Sequence, residues 1–344
     1  MKAVRYHGGG RISVDIVPDP TPGFGEVLLA PEAVGVCGTD THIVRGEFPS
    51  RPPMVLGHEI SARVVALGEG ADAVAVGDMV TVEPHIYCGV CFNCQTGTKH
   101  MCPDRQAPGV HLDGGMAELL VVPQTLAFRL PEGTPATHGA LTEPIACCVH
   151  GMDRLNVRSG LPFLIFGCGP AGVIMIALAR LAGLQPVVGV DTRPSRRDLA
   201  QRFGADVVLD PHADDFTEQA MALTGGVGFP YVVDAVGSAE VVETAVSLAS
   251  RGGNILIFGV AKPDAVARVR PNEIYARELS LLGTALNPDT HRRAVGLLER
   301  LPLDQLQIAT YGLDDVEKAL RAQQEGIVDK VFISPQAGQE VSVS

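Results

Sequence analysis

The chain has 344 residues, enough for two domains of ordinary size, and 46% hydrophobic with 19% charged residues is a globular composition. A formal net charge of −12 argues against a nucleic-acid-binding protein. The N-terminal segment 1–6 is too short and too polar for a signal peptide. The longest apolar stretch, 161–183, is interrupted by glycines, a proline and Arg180, so we expect a cytoplasmic protein without a membrane segment.

The N-terminal part of the chain is typical of β-structure and carries two small groups of polar side chains. Alternating apolar residues at 12–16 and the run at 27–33 predict strands. Cys37, Thr39 and His42 follow in one short segment, and His58 and Glu59 are adjacent. On a regular strand, adjacent side chains face opposite ways. His58 and Glu59 can therefore serve one site only if one stands behind the other or if the backbone is irregular.

Four cysteines lie close together in the middle of the first half of the chain. Thiolates at this spacing can close a tetrahedral shell around one zinc ion and leave no position for a substrate. Disulfides are disfavoured without a secretory signal. The bacterial iron–sulfur pattern has a shorter gap between its third and fourth cysteines than the seven residues present in this chain. The spacing predicts a structural zinc site formed by Cys88, Cys91, Cys94 and Cys102.

A carboxylate stands at the start of an apolar, helix-like segment just before the second half of the chain. This is Glu143, in Thr142-Glu143-Pro144. If it is buried, it needs a partner or a metal ion. If it is an exposed residue at a helix N-terminus, it needs neither, and the residues alone leave both interpretations open.

The segment 161–191 has the order of a dinucleotide-binding unit. An apolar run at 161–166 predicts a buried strand, a G-x-G-x-x-G motif follows at 167–172, and 173–181 predicts a helix. A second strand ends at Asp191, 19 residues after the motif, where a carboxylate holds the adenosine ribose and repels a 2′-phosphate. NAD is therefore the expected cofactor. The candidate nucleotide-binding residues are Gly167, Gly169, Pro170, Ala171, Gly172, Asp191 and Arg196.

Strands and helices continue to alternate after Asp191, which predicts a doubly wound parallel sheet. The predicted strands are 207–209, 231–233, 254–258 and 279–283, and the predicted helices are 194–203, 214–223 and 240–249. Farther along, 291–300 and 316–323 predict amphipathic helices and 331–333 a last strand. The segment 336–344 is expected to be disordered.

Together, the cysteine and histidine segments, the four-cysteine lobe, the Thr-Glu-Pro sequence and the nucleotide motif resemble the zinc-dependent medium-chain alcohol dehydrogenases. The resemblance extends over nearly the whole chain. It implies an α/β protein with a GroES-like, β-rich catalytic domain and an inserted Rossmann domain with a doubly wound parallel sheet. The implied limits are 1–148 with 286–344 for the catalytic domain, 84–104 for its zinc lobe and 149–285 for the NAD-binding domain.

The same resemblance implies the catalytic residues. Cys37 and His58 match ligands of the family's catalytic zinc, and Glu59 and Glu143 match the acidic residues that complete this site in the sorbitol and threonine dehydrogenase branch. Zinc would lower the pKa of a substrate hydroxyl, and hydride would pass to NAD. The hydroxyl proton would leave through a hydroxyl side chain, the cofactor ribose and an imidazole, which the resemblance identifies as Thr39 and His42.

The expected activity is oxidation of a secondary alcohol (a polyol, sugar alcohol or cyclitol) by a homo-oligomer, tetramer or dimer, with two zinc ions per chain. The stretch 283–287 lacks the arginine that sorbitol dehydrogenases carry, which argues against sorbitol itself. One alternative is a threonine, amino-alcohol or amino-cyclitol dehydrogenase. The non-enzyme alternative is a nucleotide-binding sensor whose zinc is purely structural.

Overall fold

The computed structural model describes residues 1–336 and Ser342–Val343, and the chain divides into two compact units. The first contains Met1–Ala146, Pro288–Leu298 and the chain from Leu306 onward. The second contains Cys147–Asn287 and Glu299–Gln305. Within the described residues, the model contains no helix with the length and apolarity that a membrane span requires.

The first unit is rich in β-structure. Its strands are β1 Lys2–Gly8, β2 Arg11–Ile16, β3 Glu26–Gly35, β4 Met54–Val55, β5 Glu59–Leu67, β6 Met79–Val82, β7 Leu120–Pro123, β8 Ala127–Arg129, β15 Ile308–Tyr311, β16 Lys330–Ile333 and β17 Ser342–Val343. Its helices are α1 Gly38–Val44, α2 Phe92–Gln95, α3 Ala136–Ala140, the start of α4 Thr142–Leu155, α10 His291–Val295 and α11 Val316–Glu325.

Three strands of this unit bring distant parts of the chain together. β3 pairs antiparallel with β5, with Gly35 opposite Glu59. β16, from the C-terminal part, pairs with the other edge of β3, with Phe332 opposite Gly35. The sheet runs in the order β17-β15-β16-β3-β5-β6-β8, and a buried apolar cluster that includes Val34 and Ile60 packs against it. The end of β3 therefore lies between the start of β5 and β16.

The second unit is a parallel sheet with helices between its strands. The strands are β9 Phe163–Phe166, β10 Val187–Val190, β11 Val207–Leu209, β12 Phe229–Asp234, β13 Ala249–Ile257 and β14 Ser280–Gly283. The helices are α5 Pro170–Leu181, α6 Pro194–Arg202, α7 Phe216–Ala222, α8 Ala239–Leu248 and α9 Pro271–Arg277. The order β11-β10-β9-β12-β13-β14 changes direction at β9, so the predicted doubly wound parallel sheet is confirmed.

Two sequence-based expectations about the C-terminal part differ from the structure. The helix predicted at 291–300 ends at Val295, because Gly296 follows it and disfavours helical continuation; a separate 3-10 turn covers Leu298–Arg300. Ser342–Val343 forms a short strand against β15, so the expectation of disorder is wrong for these two residues. The remainder of 337–344 lies outside the described residues.

Candidate active site and metal centres

The turn after β3 places Cys37 immediately before α1. Cys37 is the N-cap residue, with extended backbone angles, and its N–H donates a 2.9 Å hydrogen bond to Asp40 Oδ2. This bond fixes the first turn of the helix. Thr39 belongs to the same turn, and its Oγ1 lies 3.6 Å from Cys37 Sγ. The thiol and the threonine hydroxyl are therefore neighbours.

His58 and Glu59 stand at the start of β5, where the backbone is irregular. Gly57 has φ +92°, a left-handed conformation that favours glycine. His58 and Glu59 are both buried. One ligand atom from each of Cys37, His58 and Glu59 lies within 4.8 Å of the other two. The irregular backbone thus lets two adjacent side chains serve one site, which is one of the two arrangements that the sequence left open.

These three side chains form a donor set that fits a zinc ion. Thiolate sulfur, imidazole nitrogen and carboxylate oxygen are the ligand types that zinc takes in proteins. Charged neighbours hold two of these side chains in place, since His58 Nδ1 lies 3.5 Å from Asp40 Oδ1 and Glu59 Oε2 lies 2.6 Å from Lys330 Nζ. Burial alone lowers the pKa of His58, but Asp40 and Cys37 outweigh it and raise that pKa well above 6.5. The surroundings therefore favour a bound cation.

Two supporting residues were missed by the sequence analysis. Asp40 is completely buried, and its Oδ1 lies 3.5 Å from His58 Nδ1. Lys330 is also buried, with its Nζ 2.6 Å from Glu59 Oε2. The position of Asp40, three residues after an N-cap, was a usable signal because it matches a capping box. No local pattern connects Lys330 with a partner 271 residues away.

Glu143 lies in the first turn of α4 and is buried, so the exposed position considered as an alternative does not occur. Among the described residues, it is not part of the group whose ligand atoms lie within 4.8 Å of one another. Its negative charge acts on Glu83, whose pKa is raised to about 7, chiefly by burial. Two buried carboxylates therefore influence each other in this part of the first unit.

The four-cysteine lobe forms a second, separate cluster. Cys88, Cys91, Cys94 and Cys102 each bring a sulfur within 4.8 Å of the others. Backbone N–H groups of Val90 and Cys91 lower the pKa of Cys88 to about 7, which favours its thiolate. None of the eight cysteines, all of which lie within the described residues, forms a disulfide, so the disulfide alternative is wrong. The cluster fits a closed zinc site with four thiolates.

His42 lies near the end of α1 and is half exposed. Its Nδ1 is 2.6 Å from Glu47 Oε2. An ionised carboxylate only accepts hydrogen bonds, so Nδ1 carries the proton and Nε2 is left to accept another. The sequence analysis did not recognise Glu47, which orients the imidazole ring.

In the second unit, the glycine motif forms the turn between β9 and α5. Gly167 has φ +92°, and a Cβ at Gly172 would lie 1.8 Å from Gly167 O, so both positions require glycine. Gly169 is the N-cap of α5, and Pro170 and Ala171 begin the helix. Proline suits this position because its missing N–H has no partner within the helix. The turn therefore leaves a helix N-terminus open to an anionic group.

Asp191 follows β10 and is held by two backbone groups. Its Oδ2 accepts a 2.8 Å hydrogen bond from Cys168 N–H, and its Oδ1 accepts one of 2.9 Å from Arg193 N–H. Arg197 Nη1 donates to Asp191 O at 2.7 Å, and Arg196 is half-buried in the first turn of α6. Burial raises the pKa of the Cys168 thiol to about 12, so this thiol is an inert small side chain. The carboxylate therefore has a fixed orientation beside the glycine turn.

Comparisons with known proteins agree with this geometry. A family model described as the alcohol dehydrogenase GroES-like domain matches residues 23–132, and one described as zinc-binding dehydrogenase matches residues 170–300. The L-threonine 3-dehydrogenase of Pyrococcus abyssi (strain GE5 / Orsay) is 32% identical over 96% of each chain. The chain belongs to the zinc-binding alcohol dehydrogenase family. The predicted resemblance is confirmed, as are the oxidoreductase class and the use of zinc and a nicotinamide nucleotide.

Other family members extend the comparison. The D-arabinitol dehydrogenase 1 of Uromyces fabae is 31% identical, with 97% of each chain covered. A zinc-binding dehydrogenase from Sinorhizobium meliloti 1021, solved with NADP bound, has a TM-score of 0.93 and 37% identity, covering 97% of this chain and 99% of that one. The predicted fold class is thereby confirmed, and family membership rules out a sensor with a purely structural zinc.

Proposed function

We propose that this dehydrogenase oxidises a secondary hydroxyl group of a polyol, sugar alcohol or cyclitol to a ketone with NAD. The observation that carries the proposal is the convergence of Cys37, His58 and Glu59 beside the Thr39 hydroxyl. When bound, zinc supplies positive charge that lowers the pKa of a hydroxyl, and nicotinamide accepts hydride. Relatives named D-arabinitol dehydrogenase and sorbitol dehydrogenase support the polyol class.

The proposed roles of Thr39 and His42 in the proton path rest on contacts of this chain. Thr39 accepts the substrate proton because its hydroxyl adjoins the Cys37 thiol. His42 releases that proton to solvent because it is exposed and Glu47 leaves Nε2 free to accept it. The proposed ligands of the catalytic zinc are Cys37, His58, Glu59 and Glu143, those of the structural zinc are Cys88, Cys91, Cys94 and Cys102, and the NAD-binding residues are Gly167, Gly169, Pro170, Ala171, Gly172, Asp191 and Arg196.

An amino alcohol such as L-threonine is the second candidate substrate, because several relatives of about the same length are named L-threonine 3-dehydrogenase. One experiment separates the two. The zinc-loaded protein is given NAD with matched sets of polyols, cyclitols and amino alcohols, and NADH absorbance is followed. We expect turnover of a polyol or cyclitol. Turnover of amino alcohols alone would favour the second candidate, and no turnover by a two-zinc protein would contradict both.

We further propose a homo-oligomer, dimer or tetramer. In the described part of the second unit, β14 is the terminal strand of its sheet, and Val260, Val266 and Tyr275 are exposed apolar residues. Edge strands and exposed apolar groups are typical of interfaces. Light scattering of the wild-type protein should give a molar mass that is a multiple of the chain mass, and Tyr275→Glu should lower this molar mass. A monomeric wild type would contradict the proposal. We also propose a cytoplasmic location, because the four lobe cysteines are arranged to bind a metal ion and not to form disulfides. We retain 1–148 with 286–344 and 149–285 as proposed domains.

A further inference from the structure

The ammonium group of Lys330 occupies a buried position at the start of β16. Its Nζ lies 3.1 Å from Val36 O and 2.9 Å from Glu59 Oε1, and donates to both. It also lies 2.6 Å from Glu59 Oε2. A buried ammonium group without partners is very costly, so these three oxygens are what holds the charge in place. Both oxygens of Glu59 therefore face the same cation.

The backbone of Gly35 also packs against the Glu59 carboxylate. A Cβ on residue 35 would lie 1.9 Å from Glu59 Oε2, so the carboxylate packs directly against Gly35. Gly35 and Glu59 are paired across β3 and β5, and β16 pairs with β3 on its other edge. The carboxylate is thus confined by Gly35 and Lys330, which both lie against its Oε2.

A second buried carboxylate and a thiol lie close to Glu59 and Lys330. Asp40 is completely buried beside His58, and the Cys37 thiol is a few ångströms from the Glu59 carboxylate. The charge of Lys330 interacts with Glu59, Cys37 and Asp40. A carboxylate that shares both oxygens with an ammonium group has less negative charge to offer to another cation.

We propose that Lys330 is a positioning residue that keeps Glu59 a weak, displaceable zinc ligand. Without this lysine, Glu59 would bind the catalytic zinc more strongly and occupy the coordination position that the substrate hydroxyl needs. The inference rests on the proposed zinc site at Cys37, His58 and Glu59. If Lys330 had only a structural role, its loss would loosen the site and speed the release of the catalytic zinc, which is the opposite result.

The test compares Lys330→Met, Lys330→Arg, Glu59→Gln and the double variant Lys330→Met/Glu59→Gln, all as zinc-loaded full-length protein. Release of zinc to a chelator is followed over time. Cys37→Ser, which should retain only the zinc of the four-cysteine lobe, identifies the release phase of that ion. The KM for the alcohol is measured in parallel.

We expect Lys330→Met to slow the release of the catalytic zinc by about tenfold or more, the effect of removing one charge-assisted hydrogen bond, and to raise KM. Lys330→Arg keeps the charge and should stay within about threefold of wild type. In the Glu59→Gln background, Lys330→Met should have no further effect. Release from Lys330→Met at the wild-type rate or faster, or fully additive effects in the double variant, would overturn the inference.

A second variant covers the case in which Lys330→Met does not fold. In Gly35→Ala, the new Cβ would displace the Glu59 carboxylate from its position beside Lys330, so this variant should change the absorption of cobalt(II) substituted for the catalytic zinc. An unchanged cobalt spectrum would overturn the inference. A wild-type protein that holds only one zinc would overturn the proposed function together with this inference, whereas a two-zinc wild type with an unaffected Lys330→Met would overturn this inference alone.

Discussion

The two candidate metal sites of the first unit take their ligands from the chain in different ways. The lobe draws its four sulfurs from one short segment, Cys88 to Cys102. The other site draws on the turn after β3 and on the start of β5, and its supporting cation, Lys330, comes from the C-terminal part of the chain. The lobe cysteines are mostly half-buried, whereas His58 and Glu59 are buried.

The two sites should therefore contribute differently: the lobe to the stability of the fold, and the assembled site to the reaction. A closed site made from one segment can fold around its metal, so binding contributes directly to folding. A site assembled from distant strands exists only when the sheet has formed, and a displaceable carboxylate ligand such as Glu59 can leave a position for a substrate. Loss of a ligand should therefore reduce stability in the lobe and activity at the assembled site.

The largest expected effect is at Cys37. Cys37→Ser should lower kcat about 10³-fold or more, because several kcal/mol of charge stabilisation are lost with the catalytic metal. NADH binding, measured by fluorescence, should persist because the nucleotide-binding residues belong to the other unit. Cys147→Ser, at a half-buried cysteine outside both clusters, is the matched control and should keep wild-type activity. Full activity in Cys37→Ser would contradict the assignment.

The next largest effect concerns the proton path, because a general acid–base group typically contributes about 10²–10⁴-fold to the rate. Thr39→Ala should lower kcat more than His42→Ala, because water replaces the outer member more easily than the inner one. Thr39→Ser keeps the hydroxyl and should stay active. In His42→Ala, oxidation should fall mainly at low to neutral pH and recover at high pH or with imidazole. Profiles of kcat from about pH 6 to 10 decide this, and a uniform reduction would eliminate the relay.

In the lobe, Cys91→Ser should act on stability. We expect the free energy of unfolding to fall by about 3 kcal/mol or more, because a structural zinc contributes folding energy. Calorimetry of the variant beside wild type measures this, with the zinc content determined on the same samples. A Cys91→Ser protein that retains two zinc ions and melts like wild type would show that the lobe is not a zinc site.

Asp191 accepts hydrogen bonds from Arg193 N–H, two residues away, and from Cys168 N–H in the glycine motif. We expect kcat/KM for NAD to exceed that for NADP by at least about tenfold, because a charged contact is worth ~1.5–3 kcal/mol. Arg193, Arg196 and Arg197 follow in the same turn and limit the preference. Asp191→Gly should reduce the ratio of kcat/KM for NAD to kcat/KM for NADP. Equal values for the two cofactors in wild type would refute this role.

The smallest effect concerns a buried contact between distant residues. His291 Nε2 lies 3.2 Å from Thr81 Oγ1, and burial lowers the pKa of His291 to about 3. The pKa of His291 in the folded protein therefore lies below its unfolded value near 6.5. The contribution of the neutral, buried ring to the free energy of unfolding is present above pH ~6.5 and is lost as the pH falls. From pH 6.5 to 5, wild type should lose about 1.6 kcal/mol more unfolding free energy than His291→Gln. Denaturant titrations at both pH values measure this, and equal losses would contradict it.

Local features could be predicted from the sequence because their residues lie close together along the chain. The cysteine spacing and the glycine motif each define a site within one segment, and the alternation of strands and helices defines the second unit. The arrangement of His58 and Glu59 stayed open, because it depends on the irregular backbone that Gly57 allows.

Contacts between distant segments were beyond sequence reasoning. Lys330 reaches Glu59 only because β16 pairs with β3, and one isolated lysine gives no sign of this register. Glu47 contacts His42 from only five residues away, but it lies beyond the end of α1, where helical spacing no longer predicts which side chains meet. Asp40 differs from both, because its position three residues after the N-cap predicts a capping role from the sequence alone.

The most direct test is the zinc content per chain, measured by elemental analysis on wild type, Cys37→Ser and Cys91→Ser with the melting temperature of each. The account predicts two zinc ions in wild type and one in each variant, with a lowered melting temperature only in Cys91→Ser. One zinc in wild type, or loss of both ions together with stability in Cys37→Ser, would contradict the division into an assembled catalytic site and a local structural one.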